Sequence, residues 1–287
     1  MVSRRASPRR LKLRDGRTLE FPLAMGVLNV TPDSFSDGGQ YLNPERALEH
    51  ALAMEAAGAG IIDVGGESTR PVGATSVPVE EELHRVTPVL ELLGRRLRVP
   101  VSIDTRKAAV AEVALRHGAA IINDVSALSA DPAMGPLARR AGCVVILMHM
   151  RGGPENHGDM TDYRDVVREV RAYLKSRALT AARIGITSGR IIVDPGLGFA
   201  KTAEHNLALL SGLSRICALG YPVLIGASRK RFVRALAGDA APAVMAGNIA
   251  VNTLALVRGA SIVRVHDMVE AVAALKITQA VLRGRTR

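Results

Sequence analysis

From residue 23 onward, short apolar runs alternate with turn-rich and helical stretches. The runs fall at residues 23–30, 61–65, 99–104, 120–125, 144–149, 191–194, 222–227 and 262–266. They are continuous rather than alternating in polarity, the pattern of parallel strands buried on both faces. Between them lie helical patterns with recognisable ends. Asn43-Pro44 reads as N-cap and first helical residue, and Gly58, Gly118 and Gly142 read as stops. Asp131-Pro132 reads as another start, and Asp267 with Glu270 as a capping box opening the last helix. Eight strands alternating with helices predict an α/β fold, a (β/α)8 TIM barrel. Residues 11–21, centred on Asp15-Gly16, predict a short hairpin ahead of it. The expected division is a basic N-terminal extension and hairpin at 1–22, a barrel at 23–282 and a basic tail at 283–287.

The ends of the apolar runs carry the polar chemistry. In order they are Asn29, Asp63 with Glu67, Asp104, Asn123 with Asp124, His149, Asp194, Ser228 with Lys230, and Arg264 with His266. In a barrel all of these converge on the face where active sites form. Asp104, Asn123 and Asp194 suit a flat heterocycle that presents adjacent donors and acceptors. Lys230, Arg264 and His266, with Thr69 and Arg70, suit a phosphate or diphosphate. Asn29 offers a neutral oxygen which, with diphosphate oxygens and waters, would hold Mg²⁺. Blander readings stand beside these: Asp194 before Pro195-Gly196 as a turn former, Asp104 as a helix cap, and His149 between two methionines as a core histidine. Two Gly-rich segments, 31–39 and 65–71, are irregular for barrel connectors and read as lids. Neither is a P-loop or a dinucleotide fingerprint, and Ser228 has no His/Asp partners that would make a triad.

Composition narrows the classes. The formal charge is +11, but residues 1–18 hold seven bases against one acid and the last five residues three bases, so the body is nearly neutral. The excess is therefore a property of the ends and predicts no specific nucleic-acid partner. Aromatics are only 3%, with no Trp, which leaves few platforms for stacking bases. No run is long enough to span a membrane, and no apolar segment follows the basic N-terminus as in a secretory signal. Two distant cysteines in apolar surroundings suggest a reducing, cytoplasmic setting.

The strand-end motifs together resemble the dihydropteroate synthase family: MGVLNVTPDSFSDGG at 25–39, DVGGESTRP at 63–71, SIDT at 102–105, IINDV at 121–125, LMHM at 147–150, DPGLGFAK at 194–201, GASRK at 226–230 and RVHD at 264–267. The resemblance spans about residues 23–280, with the motifs in family order. It implies condensation of 6-hydroxymethyl-7,8-dihydropterin diphosphate with p-aminobenzoate, giving 7,8-dihydropteroate and diphosphate in folate biosynthesis, a step blocked by sulfonamides. It also implies a homodimer. By motif, Asp104, Asn123, Asp194 and Lys230 would hold the pterin, with Met148 and Phe199 lining its pocket. Asn29 would ligate Mg²⁺ and, with Thr69, Arg264 and His266, hold the diphosphate. Phe35, Arg70, Pro71 and Ser228 would border the p-aminobenzoate. Arg264, His266 and Lys230, with Thr31 and Asp37 of the first lid, would serve catalysis. Three stretches depart from the family pattern: the loop after Pro71 is one residue longer, residues 151–160 diverge, and the usual Gly-Ser/Thr-x-Ala becomes Gly247-Asn248. Two other readings share parts of this pattern: a corrinoid-type methyltetrahydrofolate methyltransferase barrel, and a non-catalytic protein binding through its basic ends.

Overall fold

A computed structural model describes residues 10–31, 43–67, 77–152 and 160–284. Strands β1 (Arg10–Lys12) and β2 (Thr18–Glu20) form the expected antiparallel hairpin, with Leu11 opposite Leu19. Gly16 takes a φ of +89° in its turn, and the Asp15 carboxylate braces the turn through Arg17.

Eight parallel strands follow: β3 (Leu23–Asn29), β4 (Ile61–Gly65), β5 (Val101–Asp104), β6 (Ile121–Asp124), β7 (Val144–Met148), β8 (Ile191–Asp194), β9 (Leu224–Ile225) and β10 (Ile262–Val265). They pair in the order β8-β7-β6-β5-β4-β3-β10-β9. A single bridge, Val193 to Val223, joins β8 to the start of β9 and closes the ring. Each expected run is therefore a strand, and the sheet is a barrel.

The helices around it are α1 (Pro44–Ala56), α2 (Val79–Arg96), α3 (Ala108–Arg116), α4 (Met134–Ala141), α5 (Val166–Ile184), α6 (Ala203–Ser211), α7 (Leu213–Cys217), α8 (Arg231–Ala237), α9 (Ala241–Val257) and α10 (Met268–Arg283). Asn43 caps α1 by accepting the Arg46 N–H at 3.0 Å, as its sequence predicts. Gly142 ends α4 in the left-handed conformation. Asp131 accepts the N–H groups of Ala133 and Ala108, and α4 itself begins only at Met134. The capping box expected at Asp267 and Glu270 does not form. The Asp267 carboxylate pairs instead with the Arg229 guanidinium at 2.5 Å, and Asp267 makes no side-chain cap on α10.

Strand alternation sorts the apolar residues into two clusters. Ile62, Val64, Ile103, Ile122, Val145, Leu147 and Val263 face outward against the helices. Met25, Ile61, Ile121, Ile146, Ile192, Leu224 and Ile262 face inward and merge with Leu11, Leu13 and Leu19 of the hairpin. The hairpin thus plugs the end where the strands begin. Each inward isoleucine leaves the residue two further on facing the same interior, nearer the opposite end.

Candidate active site

That two-residue step builds the site. Ile61 is followed by Asp63, Ile121 by Asn123, Ile146 by Met148, Ile192 by Asp194 and Ile262 by Arg264. Arg264 sits between two acids: its Nε donates to Asp63 Oδ2 at 2.7 Å and its Nη2 to Asp104 Oδ2 at 2.9 Å. Asn123 Nδ2 donates to the same Asp63 oxygen at 3.0 Å. Burial pushes the Asp104 carboxyl up to about 7, against the pull of Arg264 and with added repulsion from Asp63. Asp63 is fully buried, and its Oδ1 has no hydrogen-bond partner among the described residues. An unsatisfied buried acceptor of this kind is costly in a folded protein.

A second group lies across the mouth of the barrel. Asp194 accepts the Gly196 N–H at 2.7 Å, so the turn-forming reading of this residue is correct as far as it goes. Its carboxyl is nevertheless buried, which raises its pKa against the opposing field of Lys230. Gly196 has a φ of +66°, and a Cβ there would come within 2.1 Å of the His149 carbonyl oxygen, so only glycine fits. Lys230 donates to the Leu197 carbonyl and lies over the Phe199 ring, 4.3 Å from its centre. Burial lowers the Lys230 ammonium to about 8, while Asp194 works in the other direction. Met148 packs beside this turn.

Ser228 and His266 form a third contact, with His266 Nδ1 3.0 Å from Ser228 Oγ. Asn29 and Asp104 flank Gly65: a Cβ built there would lie 3.9 Å from Asn29 Oδ1 and 3.5 Å from the Asp104 Cβ. The described residues contain no group of three or more His, Cys, Asp or Glu that could hold a metal. One amide oxygen beside a carboxylate fits Mg²⁺ only as an ion completed by substrate phosphates and water, which is its usual habit.

Some expectations change. Asp104 does not cap a helix, since α3 starts after Lys107. His149 is a core histidine: it is buried, packs edge-on to Tyr173, and is driven by burial down to about 2, so it stays neutral. Glu67 is held away from the cluster by Lys107 and Arg106. Asp124 turns from the site to hold Ser126 and Leu128. Thr31 is half-buried just beyond β3. Phe35, Asp37, Thr69, Arg70 and Pro71 lie outside the described residues. Two groups escaped assignment from sequence. Asp63 was visible by its spacing from Ile61. Lys201, buried against His149 Nδ1 and the Phe199 carbonyl, had no signal beyond its place in the 194–201 motif.

Buried acceptors, cationic groups beside them and a parallel barrel beneath define a (β/α)8 protein with a polar, charged mouth at the C-terminal ends of its strands. Residues 25–266 match the pterin binding enzyme family. Dihydropteroate synthase of Mycobacterium leprae is 49% identical over 267 residues, 91% of this chain and 93% of its own. The Xanthomonas albilineans dihydropteroate synthase structure with 4-aminobenzoic acid superimposes with a TM-score of 0.89 at 46% identity, covering 96% of this chain and 99% of that one. The Yersinia pestis enzyme in a sulfonamide drug complex also gives 0.89, at 40% identity, covering 96% and 100%. The chain belongs to the pterin binding enzyme family, among its dihydropteroate synthases.

Proposed function

We propose that the site joins 6-hydroxymethyl-7,8-dihydropterin diphosphate to p-aminobenzoate, releasing diphosphate and forming 7,8-dihydropteroate. The observation that carries this reading is Arg264 clamped between Asp63 and Asp104, with Asn123 on the same acid and the Lys230–Asp194 group opposite. It supplies acceptors for a pterin edge and cations for the leaving group within one buried mouth.

In this reading Asp104, Asn123 and Asp194 meet the donors and acceptors of the pterin edge, while Lys230 and Phe199 face the ring and Met148 lines its pocket. Arg264 uses two of its five donors on the acids, which leaves the others for phosphate oxygens. The methylene–oxygen bond breaks and its electron pair leaves with the diphosphate, so the carbon becomes cation-like. Arg264 and His266 stabilise the departing charge. The arylamine lone pair then forms the new C–N bond and the nitrogen loses a proton; no protein nucleophile is needed. Ser228, held by His266, borders the arylamine with Phe35, Arg70 and Pro71. Asn29 and Thr69 join the diphosphate site, and Thr31 and Asp37 belong to the first lid. Mg²⁺ held at Asn29 would neutralise diphosphate charge when bound.

The finer biology belongs to the same proposal. Exposed apolar side chains on α9 and α10, including Leu254, Val257, Ile277 and Val281, support a homodimer that covers them. Two buried free thiols, Cys143 and Cys217, support a cytoplasmic setting. Among the described residues no single helix is long and apolar enough to cross a membrane. The deciding experiment is a diphosphate-release assay with pterin diphosphate, p-aminobenzoate and Mg²⁺, omitting each in turn. Release that depends on all three, with dihydropteroate formed, is expected. Pterin binding without release would overturn the synthase reading.

A further inference from the structure

The turn that carries both Ser228 and Lys230 is strained. Between them Arg229 has a φ of +60°, a left-handed conformation that residues with long side chains seldom adopt. Support comes from α9. The Arg229 N–H donates to Asn248 Oδ1 at 3.2 Å, and Asn248 is only 4% exposed on a largely apolar helix. Asn252, one helical turn further on, is 3% exposed. Asn248 Nδ2 and Asn252 Oδ1, a donor and an acceptor, find no partner among the described residues. Both asparagines line a small cavity with Ser228, Val265 and Asp267, and it has room for roughly one water. Buried amides left so are rare unless a bound molecule satisfies them.

We infer that Asn248 is a positioning residue for the reaction: it fixes the strained backbone of Arg229, completed by one water shared with Asn252, so that Ser228 and Lys230 face their substrates. The inference rests on the synthase reading for its kinetic consequence, though not for its structural one. It also accounts for the departure at Gly247-Asn248, since an asparagine at this position reaches the turn and still offers an amide to the cavity.

The test is a double-mutant cycle. Asn248→Leu keeps the branched shape and removes the acceptor, and kcat/KM for both substrates should fall roughly tenfold. Glycine takes a positive φ without strain, so in an Arg229→Gly background the same change should cost about twofold. Asn248→Ala, which removes the same acceptor without placing apolar branches in the polar cavity, should show the same pattern if the leucine variant does not fold. Hydrogen exchange of the peptide spanning residues 226–232 should quicken in the Asn248 variants relative to exchange elsewhere. That readout needs no substrate, so its result is independent of the synthase assay. An equal loss in both backgrounds, or unchanged exchange and kinetics, would overturn the role. A crystal structure with no density between the two asparagines would remove the water from it.

Discussion

The two ends of the barrel are made by the same strands and obey opposite rules. At the end where strands begin, Leu11, Leu13 and Leu19 of the hairpin meet Leu23 and Met25 in a wholly apolar cluster. At the other end, two or four residues along, the interior positions hold Asp63, Asp104, Asn123, Asp194 and Arg264. Backbone strain divides the same way. Every non-glycine residue with positive φ among those described (Ala127, Leu128, Ala200 and Arg229) lies in a loop that leaves the C-terminal end of a strand. One end satisfies itself. The other holds buried charges, an orphaned carboxylate oxygen and strained turns, each of them costly to keep in a folded chain.

Perturbing each end separately sharpens this contrast. Arg264→Ala should give the largest effect, a loss in kcat of about 10²–10³, with a far smaller change in p-aminobenzoate affinity, because its partner is the leaving group. Steady-state kinetics read this directly, and normal turnover would remove Arg264 from the mechanism. At the plug, Leu13→Ala should cost about 2–5 kcal/mol of stability and leave kcat of the folded protein unchanged. Equal damage to kcat would mean that the ends are not independent. Deleting residues 2–9, short of Arg10 in the hairpin, should leave both turnover and melting temperature unaltered, the smallest effect of the set.

Acidity gives a graded test between these extremes. With Asp104 near 7 and Lys230 near 8, kcat/KM should rise with pH as Asp104 ionises and fall as Lys230 loses its proton, a narrow bell. Lys230→Arg should move the falling limb upward. Stability has its own sign. Folding raises Asp104 from 3.8 to about 7, so the native state holds the extra proton and stability drops as pH climbs across that interval. Asp104→Asn should flatten the drop in thermal melts.

The alternation that builds the barrel was legible because burial on both faces leaves continuous apolar runs. The polar strand ends were legible because eight of them fell in register. Asp63 shows in the sequence as a strand end beside Glu67, and its spacing from Ile61 places it inside the barrel. No spacing rule says that Arg264 bridges two acids, because that contact joins residues 201 and 160 positions apart. The failed capping box has the same origin: Asp267 had a distant competitor, Arg229, for its carboxylate. Local patterns report local partners, and sites are made from remote ones.

The ring itself has one weak joint. Between β8 and β9 a lone bridge, Val193 to Val223, does the work that a ladder does elsewhere. Asp194 stands on one lip of this joint and Lys230 just beyond the other. A ligand gripped by both would act as a clasp on a hoop, drawing the two lips together. Substrate would then be part of the architecture while it is bound, and the barrel would be roundest at the moment it has something to hold.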